Sequence, residues 1–174
     1  MTERSISSAA VWQVLRDYTG QYKSHPFAAG IAFLLPPLGS ILVFFVPPLI
    51  LARLVNIFAA SGTISLDVAQ YYILLLGGFW LAGEGCWRIG IYALTRLEVA
   101  GLTALNKHAF NRITERDYDF YANHFVGSLT KEALAYARGF EIFTDTLLFH
   151  VVTNIFPMLF ALVIDLGHLL DILD

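Results

Sequence analysis

The chain has 174 residues, of which 57% are hydrophobic and 14% charged, whereas a soluble domain carries roughly 25% charged residues and ~45–50% apolar ones. Eleven Lys and Arg against fourteen Asp and Glu give a net charge of -3. With no basic run anywhere, this excludes a nucleic-acid-binding surface. A single cysteine, Cys86, excludes an internal disulfide or a CxxC metal or redox site, and it reads as a small apolar filler.

The first residues, MTERSISSAAVWQVLRDYTG, mix charge with scattered apolar positions and lack the continuous apolar core of a secretory signal peptide. From Pro26 to Ala52 there is no Asp, Glu, Lys or Arg, a run longer than the about 20 helical residues that cross a hydrocarbon core. This predicts a first membrane helix, bent at Pro36-Pro37 and again at Pro47-Pro48, because each proline removes a backbone donor. Ala59–Asp67 is a turn-rich break. Val68–Gly83 is uncharged again and opens with Tyr71 and Tyr72 at interfacial depth.

Glu84 and Arg88 follow at a spacing of four, which puts acid and base on one helical face where they neutralise each other. Either they touch a charged substrate or they make the span insertable. The uncharged run resumes as far as Thr95. From Arg96 to Asp119 the pattern becomes that of a water-exposed amphipathic helix, with Leu97, Gly101, Leu105, Ala109 and Ile113 recurring every four residues. No proline separates the two regimes, so one helix is expected from about Gln70 to about Asp117, on the order of 70 Å at ~1.5 Å per residue. That is roughly twice the hydrocarbon thickness, and the helix must project from the bilayer.

An aromatic segment, Phe120-Tyr121-Ala122-Asn123-His124-Phe125-Val126-Gly127, interrupts the helix, and polar Ser128–Asp145 leads into a third uncharged run, Thr146–Ile164. Within it Thr146, His150, Thr153 and Asn154 fall at spacings of three and four on one face. Such a face lines a wet pathway or hydrogen-bonds a neighbouring helix. The fold expected is an all-α membrane protein with an N-terminal surface helix, three spans and a long helical extension. Lys and Arg precede the first span and lie at 96–138 between the second and third, while the 59–70 loop and the tail after Ile164 have none. By the positive-inside rule the N-terminus and the 96–138 excursion are cytoplasmic and the C-terminus faces outward. Arg53 is the one basic residue on the outer side, where it snorkels.

This order of parts resembles the transmembrane domain of exporter-type ATP-binding-cassette transporters. The turn carries the resemblance, with Phe120-Tyr121-Ala122-Asn123 ending the long helix and Gly127-Ser128-Leu129-Thr130 opening the returning one. Lys131-Glu132 and Tyr136 stand where that family more usually has Ser-Arg and an Asp. The resemblance implies an elbow helix at 9–18, a first span at 26–58, a second with its extension at 68–117, a coupling turn at 118–128 and a third at 129–165. It implies that Phe120, Tyr121, Ala122, Asn123 and Gly127 dock on a nucleotide-binding domain, which would hold ATP and Mg. It further implies a multi-pass protein of the plasma (inner) membrane, partnered by the remaining helices and a second transmembrane half. The alternative is a non-transporting scaffold or assembly protein whose cytoplasmic hairpin binds another protein.

The chain contains no G-x-x-x-x-G-K-[ST], so it has no phosphate-cradling loop of its own. Gly83-Glu84-Gly85 is a lone G-x-G inside a membrane helix. The five histidines form neither H-E-x-x-H nor a pairing with Cys, and no Ser-His-acid arrangement is suggested. The chain is expected to carry no cofactor and no catalytic residue.

Overall fold

The computed structural model describes residues 8–116 and 126–173. They form helices in the order α1 Ser8–Ser24, α2 Pro26–Ser40, a π-helical stretch Ile41–Phe45, α3 Val46–Ser61, α4 Leu66–Thr114, α5 Val126–Asp145, a second π-helical stretch Thr146–Val152, and α6 Thr153–Leu173. No strand occurs among the described residues. Three helical runs are long and apolar enough to cross a membrane: Pro26–Ser61, Leu66–Thr114 and Gly127–Ile164.

Backbone chemistry sets the breaks. Pro26 begins α2 at the position where a missing N–H costs nothing. The proline pairs lie on either side of the first π-helical stretch. Pro47 and Pro48 cannot donate to the carbonyls of Val43 and Phe44, and the backbone widens there instead, with the Val46 N–H bonding Ile41 O. α3 ends at Gly62, whose φ of +71° is the left-handed conformation glycine adopts freely and whose N–H bonds Phe58 O at 2.8 Å. Ser65 Oγ then accepts from the Val68 N–H, capping α4, and Asp67 sits in its first turn. α4 runs 49 residues without a break.

The helices cluster into two compact units. The described residues of Met1–Gly30 and Ala93–Thr146 form one, and those of Ile31–Tyr92 and Leu147–Asp174 the other.

The first unit is a three-helix bundle of α1, the second half of α4, and α5. Leu97, Gly101 and Leu105 are buried and Ala109 and Ile113 half-buried, so the four-residue rhythm of the sequence is the inward face of α4. Around it Tyr18, Ala137 and Phe140 complete a core flanked by Val14, Tyr22, Tyr136 and Phe143. Tyr18 meets Tyr136, Phe140 and Phe143 at centroid distances of 5.8, 5.6 and 5.9 Å, and Tyr22 meets Phe140 at 5.7 Å. Each such ring pair is worth about 0.5–1.5 kcal/mol beyond its buried area. Small residues make room: a Cβ on Gly101 would collide with the Phe140 ring, and one on Gly139 would lie 2.5 Å from the Tyr18 hydroxyl.

Hydrogen bonds tie α1 to α5 one turn after another. Tyr18 Oη donates to Tyr136 O at 2.6 Å, Tyr136 Oη donates to Asp17 Oδ2 at 2.7 Å, and the hydroxyls of Tyr22 and Thr144 share a bond of 2.8 Å. Successive turns of α1 therefore meet successive turns of α5, and the two run in the same direction. The resemblance implied an elbow helix at 9–18; a helix spans Ser8–Ser24, and its Asp17, Tyr18 and Tyr22 bond α5. Val11 and Trp12, on its other side, are 46% and 72% exposed.

The second unit packs α2, α3, the first part of α4, and α6. Its backbones approach where glycines face one another. A Cβ on Gly39 would lie 2.7 Å from Gly83 O, and one on Gly90 would lie 2.5 Å from the Pro36 ring. Small residues allowing such contact are the usual glue of helices in lipid, where burial of apolar surface supplies no drive. Phe45 stacks edge-on against Phe160 at 6.4 Å. The outward side chains are apolar, among them Leu74, Leu81, Met158, Leu162 and Val163, each more than half exposed. Water does not suit that surface, and a bilayer or further helices do.

Candidate functional site

In the second unit the two glycine-lined backbones cross, and beside the crossing lies a hollow of about 370 Å³ lined by Gly39, Ser40, Val43, Phe44, Gly83, Glu84, Trp87 and Thr153. Gly39 and Gly83 let the backbones meet beside it, since a Cβ on either would lie 2.7 Å from an atom of the facing segment. Trp87 is held from one side by Phe149, at a centroid distance of 6.2 Å. Glu84 Oε1 pairs with Arg88 Nη2 at 2.9 Å one helical turn on, with the Arg88 side chain 77% exposed and that of Glu84 40% exposed. Glu84 lines the hollow and Arg88 does not.

The sequence-predicted pair is thus present, and its exposure matters. A charged side chain near a bilayer centre costs about 2.5–3.5 kcal/mol even on insertion scales, and an i,i+4 pair returns only ~0.2–0.5 kcal/mol on an isolated helix. Within a membrane this face would turn toward water or other protein, not toward lipid tails.

The polar face proposed at 146–154 is assembled differently from its linear spacing. The π-helical stretch Thr146–Val152 adds residues to the turn, so spacings of three and four no longer stack as they do on an α-helix. Thr146 Oγ1 donates to Ile142 O at 2.7 Å, Thr153 Oγ1 to Leu148 O at 2.8 Å, and Asn154 Nδ2 to His150 O at 2.9 Å. These groups bond their own helix, not a neighbouring one. Only Thr153 reaches the hollow; Thr146, His150 and Asn154 are exposed. Ser40, Phe44 and Trp87 line the hollow without having been singled out from the sequence, since only the pairing of Gly39 with Gly83 marks the place.

Phe120, Tyr121, Ala122 and Asn123 lie outside the described residues, and Gly127 is exposed in the first turn of α5. No group of three or more His, Cys, Asp or Glu suited to a metal occurs among the described residues.

The first unit contributes two further polar features. A cavity of about 340 Å³ is bordered by Asp17, His108, Arg112, Glu132 and Tyr136 over an apolar floor that includes Val14, Ile113 and Leu129. Elsewhere in the unit Glu98 lies close to Asp145 and Glu141, and its Oε1 is buried without a hydrogen-bond partner. The phenols of Tyr18 and Tyr22 hold their protons above the ordinary value of 10.0, chiefly through burial. The Asp17 charge adds to the effect at Tyr18; at Tyr22 the Thr144 hydrogen bond opposes it and the Glu98 charge reinforces it.

No family model, curated protein or solved structure matches the chain.

Proposed function

We propose that the chain is the membrane-spanning first half of an ATP-driven exporter, contributing helices to a translocation pathway and coupling to a separate nucleotide-binding domain. What supports this most is α4: 49 continuous residues, about twice what a bilayer requires, apolar with one ion pair in its first part and amphipathic in its second. One rod that begins in a membrane-type unit and ends in a water-type bundle is suited to carrying movement from one solvent to the other. On this reading the N-terminus and the first unit are cytoplasmic, and the turn at 118–128 meets the ATPase. The Glu84–Arg88 face looks into the pathway.

ATP and its Mg²⁺ would be bound and hydrolysed on the partner, which supplies the free energy. The residues of this chain would bind cargo, exclude lipid and pass on the displacement. The aromatic core around Phe140 makes the cytoplasmic bundle stiff enough for that role, because close-packed interiors transmit strain. Further helices and a second half are required, since three spans alone enclose no channel.

The test is in-cell crosslinking from an Asn123→Cys variant. The exporter reading predicts a single major adduct with an ATP-hydrolysing subunit or domain. An adduct with a protein lacking a phosphate-loop motif would replace this reading with that of an assembly scaffold.

A further inference from the structure

We propose that the groove beside α4, where α1 gives way to α2, is a binding site for an acidic phospholipid, with the phosphate at Arg96 and His25 and the headgroup extending toward Lys107. The groove measures about 750 Å³ and belongs wholly to the first unit. It is bordered by His25 between the two helices, by Ala28 on α2, and by a stripe of α4 that runs from Arg96 through Ala100 and Ala104 to Lys107.

Two boundaries in the sequence meet at this groove. The first uncharged run begins at Pro26, directly after His25, and the uncharged run that follows Arg88 ends at Thr95, directly before Arg96. Both spans therefore change from lipid-type to water-type composition here, which places the groove at the headgroup level of one leaflet, and the distribution of Lys and Arg makes that leaflet the cytoplasmic one.

Charge then selects the lipid. Arg96 and Lys107 border the groove, and no described Asp or Glu does. The acids of this stretch sit elsewhere: Glu98 lies close to Asp145 and Glu141, and none of the three lines the groove. In a chain of net charge -3, a lining whose only full charges are basic is a local reversal of sign. The planar fork of a guanidinium matches a phosphate, and an imidazole N–H adds a further donor. Basic pockets between membrane helices on the cytoplasmic side hold acidic headgroups by these contacts. A zwitterionic headgroup would bring its own cation beside Arg96 and Lys107. A soluble anion would leave Val99, which also lines the groove and is 59% exposed, facing water. The site requires that residues 26–61 and 66–95 be embedded in lipid, and it requires no ATPase partner.

The test is native mass spectrometry of the full chain in dodecylmaltoside, titrated separately with dioleoyl-phosphatidylglycerol and dioleoyl-phosphatidylcholine. The first phosphatidylglycerol adduct is expected to half-saturate at a concentration about twentyfold lower than the first phosphatidylcholine adduct, each cation contributing about fivefold. Lys107→Gln should reduce that preference about fivefold, and Arg96→Gln with Lys107→Gln should bring it to within about twofold of none. The pair Lys131→Gln with Arg138→Gln removes the same charge from exposed positions on α5 and should leave the preference unchanged. Glycerol 1-phosphate, a headgroup without tails, should not displace the lipid at the lipid's own concentration. Equal adduct formation by both lipids in the parent protein would overturn the assignment. So would a preference that survives Arg96→Gln with Lys107→Gln, an equal loss in the α5 pair, or displacement by glycerol 1-phosphate. None of these outcomes bears on the crosslinking test of the exporter reading, so the two fail separately.

Discussion

Substituting Gly139 by alanine isolates the contact that seats α1 on α5. The new Cβ would lie 2.5 Å from the Tyr18 hydroxyl, about 1 Å inside ordinary contact distance, and that hydroxyl is already committed to Tyr136 O at 2.6 Å. Moving it back by about 1 Å carries the bond beyond useful length, a loss of about 0.5–1.5 kcal/mol. Overpacking the ring cluster costs a further ~1–3 kcal/mol. Against these stands the gain of about 1 kcal/mol from replacing glycine in a helix interior. The net expectation is a destabilisation of about 1–3 kcal/mol, measured by circular dichroism as the protein in dodecylmaltoside is titrated with SDS. Gly20→Ala is the control: nothing lies within 4 Å of a Cβ there, so propensity acts alone and stability should rise by up to ~1 kcal/mol. If Gly139→Ala matched Gly20→Ala, the seating of α1 described here would be wrong.

Phe140→Ala removes a ring with no exposed surface and should cost about 3–5 kcal/mol, while Ile142→Ala, at a side chain 60% exposed, should stay within about 0.5 kcal/mol of the parent; the same titration compares them. Glu98→Gln should stabilise the protein, because one of three neighbouring carboxyls loses its charge; a lower midpoint would refute this. Alkaline titration tests the two buried phenols. Tyr18 and Tyr22 release protons less readily folded than unfolded, so their contribution is complete below the unfolded value of 10.0 and is lost as pH rises through the higher folded values. Unfolding followed from pH 8 upward should show a loss beginning near pH 10 that shrinks in Tyr22→Phe.

The parts of the fold that were legible in the sequence are those written in local pattern. The uncharged run at 26–52, the break before Asp67 and the four-residue rhythm from Leu97 to Ile113 each depend on neighbours in the chain, and the helices follow them. The π-helical turns were not legible, because a widened turn reflects carbonyls left without donors, and the sequence shows only the prolines that deprive them. That is why Thr146, His150, Thr153 and Asn154 appear as one face on paper, whereas Thr153 alone of the four lines the hollow. The clasp of Tyr18, Asp17 and Tyr136 joins residues more than a hundred positions apart, beyond the reach of periodicity. The hollow was half legible: Glu84 and Thr153 stand out as polar groups in apolar runs, whereas Ser40, Phe44 and Trp87 are ordinary residues until Gly39 meets Gly83.

The account rests on α4 leaving the bilayer on the cytoplasmic side, and cysteine labelling in intact cells tests it directly. In a Cys86→Ser background, a membrane-impermeant maleimide should label a Thr63→Cys variant from outside and should label a Lys107→Cys variant only after the cells are opened. Labelling of the Lys107→Cys variant in sealed cells would contradict the account.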